Sequence, residues 1–113
     1  MLKNGFFSGV FGTDLHSPRG AWEAVRIAGL SNTVTVAMFD TDQATIDALR
    51  SDFVDIVIAQ HPYEMGQKCI EYAVAASKGD TASIPTRSAT GYSVITRENV
   101  DTEEAQQAIY SND

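Results

Sequence analysis

Four short apolar runs along the chain alternate with segments in which apolar residues recur at helical spacing. The runs are rich in β-branched and aromatic residues and cover 6–11, 34–39, 54–59 and 92–96. The second and third runs are almost continuously apolar, which is typical of strands in a parallel sheet that is covered on both faces. The pattern predicts four β-strands separated by helices.

Helix signals follow each apolar run. The first helix is predicted to begin at Ser17 as its N-cap, followed by a proline, and to end at Gly29. Three further helices are predicted, one after each later run: 45–51, 62–78 and 105–110. Asp101 and Glu104 resemble a capping box before the last helix. The polar segment 79–91 is predicted to be a linker or a crossing strand.

The order of these elements, β-α-β-α-β-α-loop-β-α, predicts the fold class. Regular alternation of strands and helices favours a parallel sheet with helices packed against it. We therefore expect an α/β fold, with a Rossmann-like three-layer parallel sheet and helices on both faces. A chain of 113 residues suits one domain or a piece of one.

Composition and charge exclude several classes of function. Hydrophobic residues make up 43% of the chain and charged residues 20%, as in ordinary globular proteins. The net charge of −7 repels phosphate groups, so nucleic acid is not an expected partner. No apolar run has the roughly 20 residues that span a bilayer. Residues 1–7 do not have the form of a signal peptide.

The chain has one cysteine, Cys69, which cannot form an intramolecular disulfide. It belongs to an apolar stripe of the predicted helix 62–78 that also contains Met65, Tyr72 and Ala76. A small apolar residue at such a position is usually buried. We therefore expect Cys69 to be a buried structural residue and not a reactive thiol.

Polar side chains follow three of the predicted strands. Asp14 comes shortly after the first run, Asp40 directly after the second, and Gln60 directly after the third. In an open α/β sheet, ligands bind beyond the carboxyl ends of the strands, so these three residues are predicted to line one rim. Carboxylates and an amide suit a neutral polyhydroxy ligand. The same residues also suit helix caps, which are common at strand-to-helix junctions.

Two other kinds of site use the same positions. Asp14, His16, Asp40 and His61 could hold a metal, although no ligand spacing typical of metal sites is present. Asp40 could be the phosphoacceptor of a receiver domain, but no lysine follows Ala59 as that fold requires. The sequence contains neither G-x-G-x-x-G nor a P-loop, and no catalytic triad. We expect no cofactor, no metal and no catalytic residue, and therefore no enzyme.

Four segments, in order along the chain, carry a family resemblance: Val10-Phe11-Gly12-Thr13-Asp14, Val36-Ala37-Met38-Phe39-Asp40, Ile58-Ala59-Gln60-His61-Pro62 and Thr96-Arg97-Glu98-Asn99-Val100-Asp101. They resemble segments of the C-terminal lobe of type I periplasmic sugar-binding proteins, the ribose-binding-protein-like receptors of ABC importers. The effector lobes of lac-repressor-type regulators share that fold. The resemblance covers essentially the whole chain and extends to its C-terminal "T-K-E-N-V-D"-like ending.

The resemblance implies roles for the three rim residues. Asp40 matches the aspartate that holds sugar hydroxyls, and Gln60 matches a glutamine that lies at a hinge crossing and touches the sugar. Asp14 occupies a position that is usually asparagine. Leu15 stands where the family has an aspartate, and Met38 replaces a glycine.

The resemblance also implies the context in which the chain works. Residues 1–113 correspond to part of the C-terminal lobe, and 62–90 to the segment that crosses to the other lobe. The implied partners are a monosaccharide-like ligand and the membrane permease of an ABC importer, and a truncated lobe is expected to form a homodimer. The implied location is periplasmic or extracytoplasmic, with a membrane-anchored lipoprotein as one form. Two alternatives are the effector-binding piece of a lac-repressor-type regulator and a truncated, non-binding module that oligomerises.

Overall fold

A computed structural model describes residues 7–14 and 16–109. Its elements are β1 (Gly9–Gly12), α1 (Ser17–Ile27), β2 (Thr35–Phe39), α2 (Gln43–Arg50), β3 (Ile56–Gln60), α3 (Pro62–Ser77), β4 (Tyr92–Ile95) and α4 (Glu103–Ala108). The sequence predictions also used residues 1–6, Leu15 and Tyr110, which lie outside the described residues. Among the described helices, none is long and apolar enough to cross a membrane.

The four strands form one sheet in the order β1-β2-β3-β4. β1 pairs with β2 in parallel, with Gly12 opposite Met38, and β2 pairs with β3 in parallel, with Phe39 opposite Ile58. The α/β class with a mostly parallel sheet is thereby confirmed. β1 is shorter than its apolar run predicted and begins at Gly9.

One face of the sheet carries the hydrophobic core. Met38 and Val57, which are paired in β2 and β3, are both fully buried. The same cluster contains buried residues from the helices: Val25 of α1, Ile46, Ala48 and Leu49 of α2, and Ala105 of α4. These helices therefore cover the sheet face to which Met38 and Val57 point.

The opposite face of the sheet is only partly covered within the described residues. Phe39 and Ile58, which pair on that face, are half-buried, and Phe11 is 53% exposed. The almost continuously apolar strands predicted a sheet that is covered on both faces. Within the described part of the chain, the face that contains Phe11 is more exposed than that prediction.

Local chemistry explains where the first two helices begin and end. α1 has His16 rather than Ser17 at its N-cap, and it ends as predicted, with Gly29 in the left-handed region at φ +69°. Gly12 must be a glycine because a Cβ atom there would lie 2.2 Å from Cγ of Pro18. α2 begins at Gln43, two residues earlier than predicted, because the carboxylate of Asp42 accepts a hydrogen bond from the Thr45 N–H.

The capping box predicted from Asp101 and Glu104 is wrong. The N-cap of α4 is Thr102, whose hydroxyl accepts from the Ala105 N–H. Asp101 instead forms an ion pair with Arg50 at 2.7 Å. Asp101 and Thr102 are adjacent, and either side chain could cap the helix. Because Asp101 pairs with Arg50, Thr102 is the cap.

The chain divides into two compact units. The first comprises 1–59 and 93–113 and contains nearly all of the sheet, and the second is Gln60–Tyr92. In the second unit, α3 has no buried residue, and the segment after it runs back along the helix. Cys69 is exposed, so the prediction that it is buried is wrong.

Candidate functional site

Asp14 lies two residues beyond β1, and its carboxylate is held by the start of α1. Oδ1 accepts hydrogen bonds from the amide groups of His16 at 2.7 Å and Ser17 at 2.8 Å. Oδ2 accepts from the Ser17 hydroxyl. The pKa of the Asp14 carboxyl is held below its ordinary value of 3.8, mainly by the Ser17 hydroxyl and to a smaller extent by these two N–H groups. Asp14 therefore acts as a cap, and it has fewer lone pairs left for a ligand.

Asp40 directly follows β2, where the strand turns towards α2. Its backbone is left-handed, with φ +70°, a conformation that aspartate tolerates better than most residues. The Asp40 N–H donates to the carbonyl of Ile58 in β3 at 3.0 Å. β2 pairs in parallel with both neighbouring strands. Asp40 therefore stands at the carboxyl end of a central strand.

Asp14 and Asp40 lie at the same edge of the sheet. The strands that precede them, β1 and β2, are parallel and adjacent, so their carboxyl ends coincide. Gln60 is half-buried and is the last residue of β3 and the first of the second compact unit. The rim formed by all three residues stays a prediction.

Two aromatic rings at this edge were not among the predicted site residues. The ring centroids of Phe11 and Phe39 are 5.7 Å apart with an interplanar angle of 49°. Phe11 is 53% exposed, and Phe39 is the residue before Asp40. Both lie in apolar runs that predict strands, and that pattern gave them no role in the site. The sequence contains one indication of this pair, because an aromatic residue precedes each predicted carboxylate: Phe11 before Asp14 and Phe39 before Asp40.

A second polar region lies where β2 and β3 begin, at the edge opposite Asp40. Arg97 forms an ion pair with Asp52 at 2.8 Å, approaches Asp55 at 3.4 Å and donates to the Val54 carbonyl at 2.9 Å. Asp55 in turn accepts from the Val36 N–H at 2.8 Å. A surface cavity of about 330 Å³ adjoins this cluster. Because these contacts join the segment after β4 to the start of β3, the cluster has a structural role.

The metal-site alternative has no geometric support in the described part of the chain. Within 7–14 and 16–109, no group of three or more His, Cys, Asp and Glu side chains could hold a metal ion. Asp14 is engaged by the α1 backbone, and His61 lies 3.8 Å from the carboxylate of Glu64. Asp14 and His61, two of the four residues that a metal site would require, therefore have contacts within the protein.

A mostly parallel sheet with helices packed on it places the chain in the α/β class, with Asp14 and Asp40 beyond the carboxyl ends of two strands. The family model of the periplasmic binding protein domain matches residues 1–81, more than two thirds of the chain. The chain belongs to the periplasmic binding protein domain family, which confirms the family predicted from its motifs. This membership also removes the receiver-domain alternative. Among the curated proteins, none matches the chain.

Solved structures of transport proteins share the fold. An ABC transporter solute binding protein from Agrobacterium vitis, bound with α-D-tagatopyranose, is 38% identical, with a TM-score of 0.85 over 98% of this chain. A carbohydrate transporter solute binding protein from Agrobacterium radiobacter, in complex with D-arabinose, is 31% identical, with a TM-score of 0.76 over 90% of this chain. A second protein from Agrobacterium vitis, with bound D-fucose, is 23% identical and shows the fold alone.

The chain is much shorter than these relatives. It covers 37% of the Agrobacterium vitis protein bound with tagatopyranose and 34% of the Agrobacterium radiobacter protein. It therefore corresponds to a partial periplasmic binding protein domain.

Proposed function

We propose that this chain forms one side of a monosaccharide site in a solute-binding protein of an ABC importer. The observation that supports this most strongly is Asp40, a carboxylate at the carboxyl end of a central parallel strand with its backbone at φ +70°. Two similar proteins of known structure were solved with tagatopyranose and arabinose bound. The role is binding and not catalysis.

Asp40 is the principal ligand residue in this proposal. A carboxylate can accept hydrogen bonds from two adjacent sugar hydroxyls at once. Left-handed backbone in a non-glycine residue is unfavourable and is often found at functional sites. The conformation thus fixes the backbone from which the carboxylate projects before any ligand arrives, which lowers the entropic cost of binding.

Asp14 and Gln60 have supporting roles in the proposed site. One oxygen of Asp14 caps α1 and the other bonds to Ser17, so Asp14 contributes less to the ligand than Asp40 does. Gln60 can both donate to and accept from hydroxyl groups. We assign 62–90 to the opposite lobe of a two-lobed receptor that works outside the cytoplasm with a membrane permease. The compact unit Gln60–Tyr92 is consistent with that assignment.

The experiment that tests the proposal uses a chimeric receptor. This chain replaces the matched 37% of the Agrobacterium vitis protein, and calorimetry measures the binding of tagatose, arabinose and fucose. Asp40→Ala should weaken binding more than about tenfold, because each hydrogen bond to a charged acceptor contributes about 1.5–3 kcal/mol. Asp40→Asn, which keeps an acceptor and tolerates positive φ, should have a smaller effect.

The matched control is Asp52→Ala. Asp52 is the other described non-glycine residue with positive φ, at +66°, and it lies beside Arg97, away from Asp40. Its replacement imposes similar backbone strain but should leave sugar affinity unchanged. If Asp40→Ala changes affinity less than about threefold in a folded chimera, Asp40 is not the ligand residue.

A further inference from the structure

The turn after β2 contains a fully buried threonine next to the proposed ligand residue. Thr41 is 0% exposed, and its hydroxyl donates to the carbonyl of Ala108 at 2.9 Å. Ala108 is the last residue of α4 and lies 67 positions further along the chain. This hydrogen bond therefore connects the C-terminal helix to the residue that follows Asp40.

The two neighbours of Thr41 are held by other elements. The Asp40 N–H donates to the Ile58 carbonyl of β3, and the Asp42 carboxylate caps α2 through the Thr45 N–H. Three consecutive residues are thus fixed to β3, α4 and α2. A turn fixed at three points can hold one left-handed residue in place, since that conformation persists only where its surroundings determine it.

We infer that Thr41 is a positioning residue for the sugar site, through which α4 holds Asp40 in its left-handed conformation. The inference rests on the proposed function only for the role of Asp40 as a ligand. The geometric part, that the contact of Thr41 with Ala108 maintains the Asp40 backbone, stands on the hydrogen bonds alone. Loss of the contact frees the turn and lets the Asp40 carboxylate point elsewhere.

Amide exchange in the 113-residue chain tests the geometric part. Thr41→Val keeps the branched shape but removes the hydroxyl, so exchange of the Asp40 N–H should become about threefold to tenfold faster relative to the Val57 N–H. Thr41→Ser keeps the hydroxyl and should preserve that ratio. Thr45→Val makes the same change at another buried threonine, 3% exposed, and is the matched control. Equal changes in Thr41→Val and Thr45→Val would overturn the inference.

A second variant covers the case in which Thr41→Val does not fold. Glycine adopts positive φ without strain, so Asp40→Gly removes the need for support. Thr41→Val should then destabilise the Asp40→Gly chain less than it destabilises the wild type, and the double variant should fold even if Thr41→Val alone does not. Equal destabilisation in the two backgrounds, or failure of both Thr41→Val chains to fold, would contradict the positioning role.

The ligand part is measured by placing the same Thr41 variants in the chimeric receptor and titrating it with tagatose. Thr41→Val should weaken tagatose affinity about threefold to tenfold, and Thr41→Ser should preserve it. If the chimeric receptor with the wild-type segment does not bind tagatose, the proposed function fails. The exchange ratios then still decide whether Thr41 positions the Asp40 backbone.

Discussion

The carboxylate of Asp14 makes three hydrogen bonds at the beginning of α1, two to backbone N–H groups and one to a hydroxyl. Helix N-termini leave N–H groups without helical partners, and a negative charge there is favourable. Ser17, predicted as the cap, is instead the first helical residue and supports the carboxylate. One exposed aspartate thus both begins the helix and stands at the rim of the proposed site.

This arrangement predicts the pH dependence of stability. Because the pKa of Asp14 is lowered in the folded chain, its contribution is fully present above the ordinary value of 3.8 and is lost as pH falls through the lower folded value. Ser17→Ala removes the largest cause and should move the Asp14 midpoint upward, as observed by NMR titration of the carboxyl groups.

Glu64 provides an internal reference in the same titration. Its pKa is lowered mainly by Lys68 and also by the Gly91 N–H, and Ser17→Ala changes neither of these groups. The Glu64 midpoint should therefore be the same in wild type and Ser17→Ala. An unchanged Asp14 midpoint in a folded Ser17→Ala chain would show that the Ser17 hydroxyl does not stabilise the charge.

At single positions, the sequence predicted the polar residues but not their backbone geometry. Asp14 and Asp40 were recognisable because each follows an apolar run at a junction between strand and helix. The left-handed conformation of Asp40 was not predictable, because aspartate also adopts ordinary conformations at such junctions. The contact of Thr41 with Ala108 joins residues 67 positions apart, and no local pattern encodes it.

Among the elements, the central strands were the most predictable. The ends of β2 and β3 agree with the ends of their apolar runs to within one or two residues. A short, continuously apolar run is typical of a buried strand, so its position was predictable. β1 was predicted too early, since aromatic residues before Gly9 extend the apolar run beyond the paired strand. Helix starts were predicted less well, because several residues near each junction can serve as the cap.

The family-like ending Thr96–Asp101 has a structural explanation at this scale. The Asn99 side chain accepts from the Thr96 N–H at 2.7 Å and donates to the Val94 carbonyl at 2.9 Å. Arg97 pairs with Asp52, and Asp101 pairs with Arg50. The segment therefore fastens the residues after β4 to α2 and to the loop before β3, which is a structural role.

In the second unit, side chains spaced four residues apart on α3 hold residues 88–91, which run back along the helix and are called here the returning segment. Glu64 accepts from the Gly91 N–H at 2.9 Å, Lys68 donates to the Ala89 carbonyl at 2.8 Å, and the Tyr72 hydroxyl lies 2.9 Å from Oγ of Ser88. Residues at this spacing share one face of a helix. Tyr72 is half-buried because it faces this segment, which the apolar stripe alone did not predict.

Gly91 has little room for a side chain within this attachment. A Cβ atom there would lie 2.6 Å from Nδ1 of His61 and 3.3 Å from Oε2 of Glu64. Gly91→Ala should therefore displace the His61 and Glu64 side chains and loosen the returning segment, at a cost of about 1 kcal/mol or less because both side chains are partly exposed and can move. Amide exchange along α3 measures the effect.

Gly66→Ala is the matched control for that substitution. It lies in α3, and a Cβ atom there would meet nothing within 4 Å. Alanine in a helix interior is favoured over glycine by about 0.8–1.0 kcal/mol, so this variant should slow exchange along α3. Faster exchange in Gly66→Ala than in Gly91→Ala would contradict the proposed attachment.

At the scale of the whole molecule, each of the two units has apolar surface that the described residues do not cover. In the first unit this is the sheet face with Phe11 at 53% and Val94 at 46% exposure. In the second unit it is α3, where Tyr63, Ile70 and Val74 are 85%, 67% and 46% exposed. Met65 and Cys69 of the predicted stripe are also exposed, but their spacing places them on another side of α3. Apolar patches of this kind usually mark contacts with other polypeptides.

We predict that the 113-residue chain self-associates as a homodimer and, on its own, binds monosaccharides only weakly. Burial of apolar surface contributes about 25 cal/mol per Å², and the edge strand β1 can also pair with another chain. The net charge of −7 opposes association, so association should strengthen as salt screens the repulsion. One side of a two-lobed site leaves most ligand hydroxyls in water, so affinity should not reach the submillimolar range.

Light scattering and sedimentation at low and high salt measure this association, and substitutions on α3 locate it. Ile70→Glu should shift the chain to monomer, because a charge on α3 cannot be buried without a partner. Ile27→Glu places the same charge on α1, where Ile27 is 74% exposed, and should leave the dimer intact. A monodisperse monomer at high micromolar concentration and high salt would refute self-association. If both substitutions disrupt the dimer equally, α3 is not its specific contact surface. Submillimolar sugar binding by the isolated chain would show that one side of the site is sufficient for binding.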